Sequence, residues 1–176
     1  MRGVMKRNDG GFTLIEIIAV LMLMSIIAAT VLGRGVNTGQ TDLVGQADKI
    51  RNHFRYAQSM AMKNGDQIWG FRCAAGPPNV YFIFRLTVPV GDPVNDPDVA
   101  GNQVQLPAEN DVKVSLTEAG VAMDAFTIFF DKYGRPYSSY TDESNNNPLD
   151  SAQVYNISAG SRFRTLTISP ETGFIQ

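Results

Sequence analysis

From Phe12 to Leu32 the chain reads FTLIEIIAVLMLMSIIAATVL, 21 mostly apolar residues with one charge, Glu16, and neither Pro nor Gly. Such a run has no polar face to turn to water, and at 1.5 Å per residue it predicts about 30 Å of helix, the thickness of a bilayer's hydrocarbon. A different pattern follows it. Leu43, Ala47, Ile50, Phe54, Ala57 and Ala61 recur at spacings of four and three, with Asp48, Lys49, Arg51, Asn52 and Arg55 among the other positions. This spacing predicts an amphipathic helix with one apolar stripe. Thr41 or Asp42 can cap its start, and Asn64-Gly65 supplies a left-handed stop.

From Gln67 the pattern shortens to strand-like runs between turn residues. The expected strands are Gln67–Cys73, Asn79–Leu86, Val112–Leu116, Phe126–Phe130, Gln153–Ile157, Phe163–Ser169 and Gly173–Ile175. Pro89 to Pro107, with Asp92-Pro93, Asp96-Pro97 and Gly101-Asn102, reads as a long loop with a brief strand at Val104–Leu106, and Ser138–Ser151 as a second loop. One helix followed by many strands predicts an α+β domain, the helix packed on antiparallel sheet.

Charge adds an orientation. The formal net charge is -2, but Arg2, Lys6, Arg7 and Asp9 all precede the apolar run. Taking them from 15 basic and 17 acidic residues leaves 12 against 16, a balance that argues against a general nucleic-acid or anionic-membrane surface. The positive-inside rule keeps Arg2, Lys6 and Arg7 in the cytoplasm and places everything after Leu32 outside, with Arg34 diluting the asymmetry slightly. A secretory signal peptide fits less well, because its apolar region is about 7–15 residues and ends in a small-residue site. Cys73 is the only cysteine, so packing and not a disulfide must hold the domain.

A plain anchor leaves two features unexplained. Glu16 is a carboxylate inside an apolar span, which is costly unless paired or near the interface. Gly10-Gly11, directly before Phe12, is a flexible site without side chains that a peptidase can grip at the membrane edge. The stretch Gly11-Phe12-Thr13-Leu14-Ile15-Glu16, after a leader with Lys6 and Arg7, resembles the processing motif of type IV prepilins and type II secretion pseudopilins. The resemblance implies cleavage after Gly11 by a membrane aspartyl peptidase, methylation of the new amine of Phe12, and pairing of Glu16 with the N-terminal amine of a neighbouring subunit. An amine and a carboxylate within lipid offset each other's desolvation, which makes such pairing physically reasonable.

The chain departs from that pattern at Gly33, where many members of the family carry proline. Gly33, Gly35 and Gly39 weaken the helix by about 1 kcal/mol each relative to Ala, which is compatible with local melting of the helix or with a flexible linker. Farther on, Phe54 to Gly65, Phe129 to Pro136 and Leu166 to Gly173 resemble segments of GspH/FimT-type minor pilins. Mannose-sensitive haemagglutinin type pili use minor pilins with the same domain. The resemblance therefore implies a leader at 1–11, a membrane and assembly helix at 12–32, an amphipathic helix at 33–65 and a β-rich extracytoplasmic domain at 66–176. It implies a single-pass inner-membrane protein with a cytoplasmic N-terminus and a periplasmic domain, built at or near the tip of a secretion pseudopilus or type IV pilus. Its partners would be other pilins through the N-terminal helix, the prepilin peptidase/methyltransferase and the inner-membrane assembly platform. DNA binding for uptake is the alternative, though the basic C-terminal tail of such minor pilins has no counterpart in Gly173-Phe174-Ile175-Gln176.

No HExxH, Walker A, GxSxG, GxGxxG or paired CxxC occurs, and one His with one Cys makes neither a zinc site nor a Cys-His nucleophile. We therefore expect no enzyme, cofactor or metal. His53 borders the apolar stripe and Cys73 reads as a small buried residue. Asp92, Asn95, Asp96 and Asp98 offer oxygens for Ca²⁺, but their spacing matches no EF-hand loop and Pro93 and Pro97 already account for a turn. Arg162 and Arg164 alternate on one side of a strand, placed to meet a phosphate or a partner's carboxylate.

Overall fold

The computed structural model describes residues 13–34, 38–90 and 95–176, and for 29–34 and 38–42 the backbone alone. The chain divides into two compact units, Met1–Thr38 and Gly39–Gln176. Among the described residues of the first unit there is one helix, α1 (Leu14–Arg34). No helix is long and apolar enough among the described residues to cross a membrane.

In the second unit α2 (Thr38–Lys63) carries the amphipathic stripe, and Leu43, Ala47, Ile50, Phe54, Ala57 and Ala61 are all buried. Helical structure thus starts at Thr38 in α2, while Gly33 belongs to the backbone of α1. Among the described residues ten strands follow: β1 (Gln67–Ala74), β2 (Val80–Thr87), β3 (Gln103–Val104), β4 (Val114–Ser115), β5 (Ala122–Met123), β6 (Phe126–Phe130), β7 (Pro136–Tyr140), β8 (Asn146–Pro148), β9 (Gln153–Ala159) and β10 (Arg162–Ile168). They form an antiparallel sheet in the order β3-β2-β1-β6-β7-β8, with β4 also on β2, and a smaller one in the order β10-β9-β5. A helix packed on antiparallel sheets is the α+β arrangement that the sequence predicts.

Alternation along the strands divides the larger sheet into two apolar faces. Trp69, Phe71, Tyr81, Ile83, Ile128 and Phe130 join the α2 stripe in one core, which also takes in Ile157, Leu166 and Ile168 from the smaller sheet. Ile68, Phe82, Phe84, Leu86, Val90, Phe129, Tyr137 and Tyr140 form a second cluster. Gly70 makes this second layer possible. Its missing side chain lets the Phe84 ring lie across β1 and meet Phe129 edge-on at 5.3 Å.

The strand expected at Val112–Leu116 shortens to β4, and Gly173–Ile175 contributes a single bridge, Ile168 to Ile175. Pairing also occurs where no strand is expected. Ser138–Ser151 carries the end of β7 and all of β8, and β5 lies where no strand is predicted. The backbone of this polar stretch pairs even though its side chains, as in Asn146 and Asn147, carry no apolar alternation to announce it.

The three segments with looser resemblance come together at Gln58. From α2 its Nε2 donates to the carbonyl of Gly134 at 2.9 Å, in the β6–β7 turn, and to that of Thr172 at 2.8 Å, in the closing turn. Gly173 has a φ of 62°, and a Cβ there would collide with both Gln58 and the Gly134 carbonyl. Arg55 adds a bond to the Ile175 carbonyl at 3.0 Å. One helix face therefore fixes two turns that are far apart in sequence.

Gly70→Ala tests the two-layered core. The added methyl meets the Phe84 ring and stands 2.5 Å from the Ile128 carbonyl oxygen, and overpacking of this kind costs about 1–3 kcal/mol. Urea denaturation should show a lower midpoint with an unchanged slope, whereas Gly45→Ala, with open space around it, should not fall.

Candidate functional site

Thr13 begins α1. Its carbonyl accepts from the N–H groups of Glu16 at 3.0 Å and Ile17 at 3.2 Å, and its Oγ1 lies 3.4 Å from the Glu16 nitrogen. Thr13-Leu14-Ile15-Glu16 thus has the spacing of a capping box, with threonine satisfying a free amide of the first turn. Capping places Glu16 in that turn, where the helix dipole favours a negative charge. The T-x-x-E signal was present in the sequence, yet sequence reasoning gave Thr13 no role. Glu16 is exposed, and among the described residues no cation pairs with its carboxylate.

The rest of α1 has no dry side. Eleven large apolar side chains from Leu14 to Ile27 are exposed, from 44% at Ile18 to 76% at Leu14. Full burial of one such side chain is worth about 1.5–3 kcal/mol, so covering all of them stabilises by on the order of 10 kcal/mol. The only hydroxyl in the middle of this stretch, Ser25, donates to the Met22 carbonyl at 2.7 Å and so presents no unsatisfied donor to an apolar surrounding. Gly11 and Phe12, the expected cleavage and methylation positions, and Gly35 lie outside the described residues.

The polar groups of the second unit are turned inward. His53 is buried, its Nδ1 2.9 Å from the Tyr81 hydroxyl and its Nε2 3.8 Å from Glu109, which Lys49 holds at 2.6 Å. Burial lowers the His53 pKa, as Lys49 does more weakly, against the opposing pull of Glu109 and of a bond to the Pro107 backbone. Asp131 receives the Tyr133 and Arg135 amides on one oxygen and the Tyr137 hydroxyl on the other, which shapes the β6–β7 turn. Cys73 is buried and burial pushes its thiol up to about 11, so it is a poor nucleophile.

The acidic loop is likewise engaged with its own backbone. Asn95 accepts from the Thr87 amide at 3.1 Å and donates to the Thr87 and Pro89 carbonyls, Asp96 receives the Asp98 amide at 2.8 Å, and Asp98 pairs with Arg72 at 3.1 Å. Asp92 lies outside the described residues. No group of three or more His, Cys, Asp or Glu side chains able to hold a metal occurs among the described residues. Asn79, which sequence reasoning passed over, is a structural hub. Its side chain donates to the Ala74 carbonyl at 2.8 Å and accepts from the Met123 amide at 2.9 Å, tying the end of β1 to β5. Arg162 and Arg164 are exposed on β10, and among the described residues neither forms an ion pair.

Residues 6–32 match the family model of the prokaryotic N-terminal methylation motif. The match supports a type IV pilin-like chain processed as a prepilin, and it spans both the expected cleavage site and Glu16. No curated protein and no solved structure matches the chain.

The His53 environment sets a pH response. An unfolded chain takes up the imidazole proton near the ordinary value of 6.5, while the folded protein resists it. The unfolded state then binds more protons, so stability is full above that value and declines as the pH falls through it. Thermal melts at pH 7.5 and 5.5 should show a smaller drop for His53→Gln than for the wild type. An equal drop would place the acid sensitivity elsewhere.

Proposed function

We propose that this chain is a minor pilin or pseudopilin of the GspH/FimT type, cleaved after Gly11, methylated on Phe12 and inserted in the inner membrane through α1. From there it enters a type II secretion pseudopilus or a type IV pilus, at or near the tip. The role is structural and not enzymatic. One observation carries this reading: a helix exposed and apolar on every side that starts at a cap and holds a single carboxylate in its first turn. In water that surface is unfavourable. Lipid covers it first, and the helices of neighbouring subunits cover it in a filament.

Cleavage at Gly11 explains why the carboxylate belongs at position 16. The new amine on Phe12 would stand one residue before the cap, beside the positive end of the helix dipole, where a second positive charge is unfavourable. Glu16 is the only acidic residue of α1, and it lies close enough in sequence to compensate an amine, whether of its own chain or of a neighbour. Inside an apolar bundle, an amine and a carboxylate left apart would each bear the full desolvation cost. The pair therefore favours the one axial register that brings the two together.

The N-terminus of the mature protein, purified from its host, decides the processing. Intact mass and N-terminal sequencing should give N-methylated Phe12 as the first residue, and a start at any other position overturns the proposal. Glu16→Ala should still be cleaved but enter filaments less well. Leaving a buried amine without its partner costs about 3–5 kcal/mol, so incorporation should fall at least about tenfold. Unchanged incorporation would remove Glu16 from assembly.

A further inference from the structure

Among the described residues, β10 has an open edge. In the smaller sheet it pairs with β9 on one side. On the other, residues 174–176 pair only with its far end: Thr167 and Gln176 exchange both backbone bonds at 3.1 and 3.0 Å, and Ser169 donates to the Phe174 carbonyl at 2.9 Å. Backbone groups of alternate residues point to the same side of an antiparallel strand. The amides and carbonyls of Thr165 and Phe163 therefore point to this same edge, beyond the reach of the pairing at Thr167. Both residues are exposed.

Beside this edge runs a groove whose other wall is α2. Two adjoining cavities of about 430 and 360 Å³ lie there, both bordered by Arg164, one also by Ala47 and Arg51 and the other by Leu43 and Arg162. Arg162 and Arg164 share the strand face of Leu166 and Ile168, which are buried, so their parity turns them toward the groove. Arg51 is paired with Asp48 through Nη1, while its Nε is buried without an acceptor. A chain with more acidic than basic residues thus sets two arginines, Arg162 and Arg164, along one strand edge, with Arg51, paired to Asp48, on the facing wall of the groove.

We propose that this groove binds an extended acidic segment of a neighbouring subunit, which adds a strand to β10 opposite Phe163 and Thr165. Main-chain bonds supply the register, and carboxylates on alternate residues of the incoming strand meet Arg162 and Arg164. The same two charges repel a second copy of the β10 edge, so they guard the strand against self-pairing while selecting an acidic partner. That the segment belongs to a filament subunit rests on the function proposed above. The binding chemistry does not, and its test needs no filament.

The probe is a fluorescent hexapeptide alternating glutamate and valine, titrated into the full chain in detergent micelles at low salt. It should bind saturably, and hydrogen exchange at the Phe163 and Thr165 amides should slow in the complex. Replacing glutamate by glutamine in the peptide, or making Arg162→Glu together with Arg164→Glu, should weaken binding at least about tenfold, the effect of losing one exposed-to-buried charge contact. Both arginines are exposed and free of ion pairs among the described residues, so the variant should keep the wild-type melting temperature. A peptide methylated on its backbone nitrogens keeps its charges but lacks donors, and it too should bind at least about tenfold more weakly. Equal binding of the methylated peptide, unchanged exchange at Phe163 and Thr165, or no saturation overturns the proposal. Binding of a duplex oligonucleotide in place of the peptide would also overturn it, showing that the arginines read phosphate. Failure here leaves the processing at Gly11 standing, and a wrong mature N-terminus leaves the peptide result standing.

Discussion

The domain is organised by a run of aromatic rings centred on Phe54. This residue projects from the middle of α2 and is fully buried, stacked on Phe71 of β1 at 4.0 Å and set against Phe126 and Phe130 of β6 at 5.9 and 6.1 Å. Phe71 stacks in turn on Tyr81 of β2 at 5.1 Å, and Phe126 on Tyr155 of β9 at 3.7 Å. α2 and four strands from both sheets thus meet through ring contacts that begin at one helix position. Aromatic pairs in these geometries add about 0.5–1.5 kcal/mol beyond the area they bury, and their orientation preferences fix the angle at which α2 lies on the sheet. The buried His53 depends on the same arrangement, since its hydroxyl partner is the far ring of that run, Tyr81.

Much of this was legible because the decisive residues are apolar and periodic. The six stripe positions of α2 are all buried, with His53 buried beside them, and β6 spans the residues predicted for it. β1, β2, β9 and β10 agree with prediction to within a residue or two at their ends, where hydrogen bonding and not hydropathy sets the limit. What escaped is what carries no apolar alternation. β7 and β8 pair through PYSSY and NNP, so their strand character is a property of the backbone ladder and of the Tyr137 and Tyr140 rings that fill the second cluster. β5 pairs with β9, and Met123 donates to Asn79, long-range contacts that no local pattern announces.

The second unit differs from the first in how its polar chemistry is used. Asp131, Asn79, Asn95 and Gln58 are the kind of residues that attract functional readings, yet each satisfies backbone groups of turns that a short-stranded fold would otherwise leave open. Gln58 joins three segments that are far apart in sequence. The helix end, the Gly134 turn and the Gly173 turn are one structural unit, and a change in any one of them leaves a carbonyl of another without its donor. The first turn of α1 is a different matter, because its residues close nothing within the chain.

That contrast locates where partners are needed. A folded domain normally satisfies its backbone, pairs its buried charges and covers its large apolar side chains, and Gly39–Gln176 does so almost everywhere. Among the described residues, three features without a complement are of distinct kinds: the apolar surface of α1, the carboxylate at its capped start, and, in the second unit, a strand edge bordered by arginines. Each asks for a different complement, respectively apolar surface, an amine and an acidic strand. The first two lie on one helix and call for other helices with free amines, as a bundle of processed subunits supplies. The third lies on the separate compact unit and needs contact through the domain's side. On the function and the contact proposed above, burial along α1 is the non-directional hold on neighbouring subunits, and directional bonds at Glu16 and β10 select which neighbours fit and in what register.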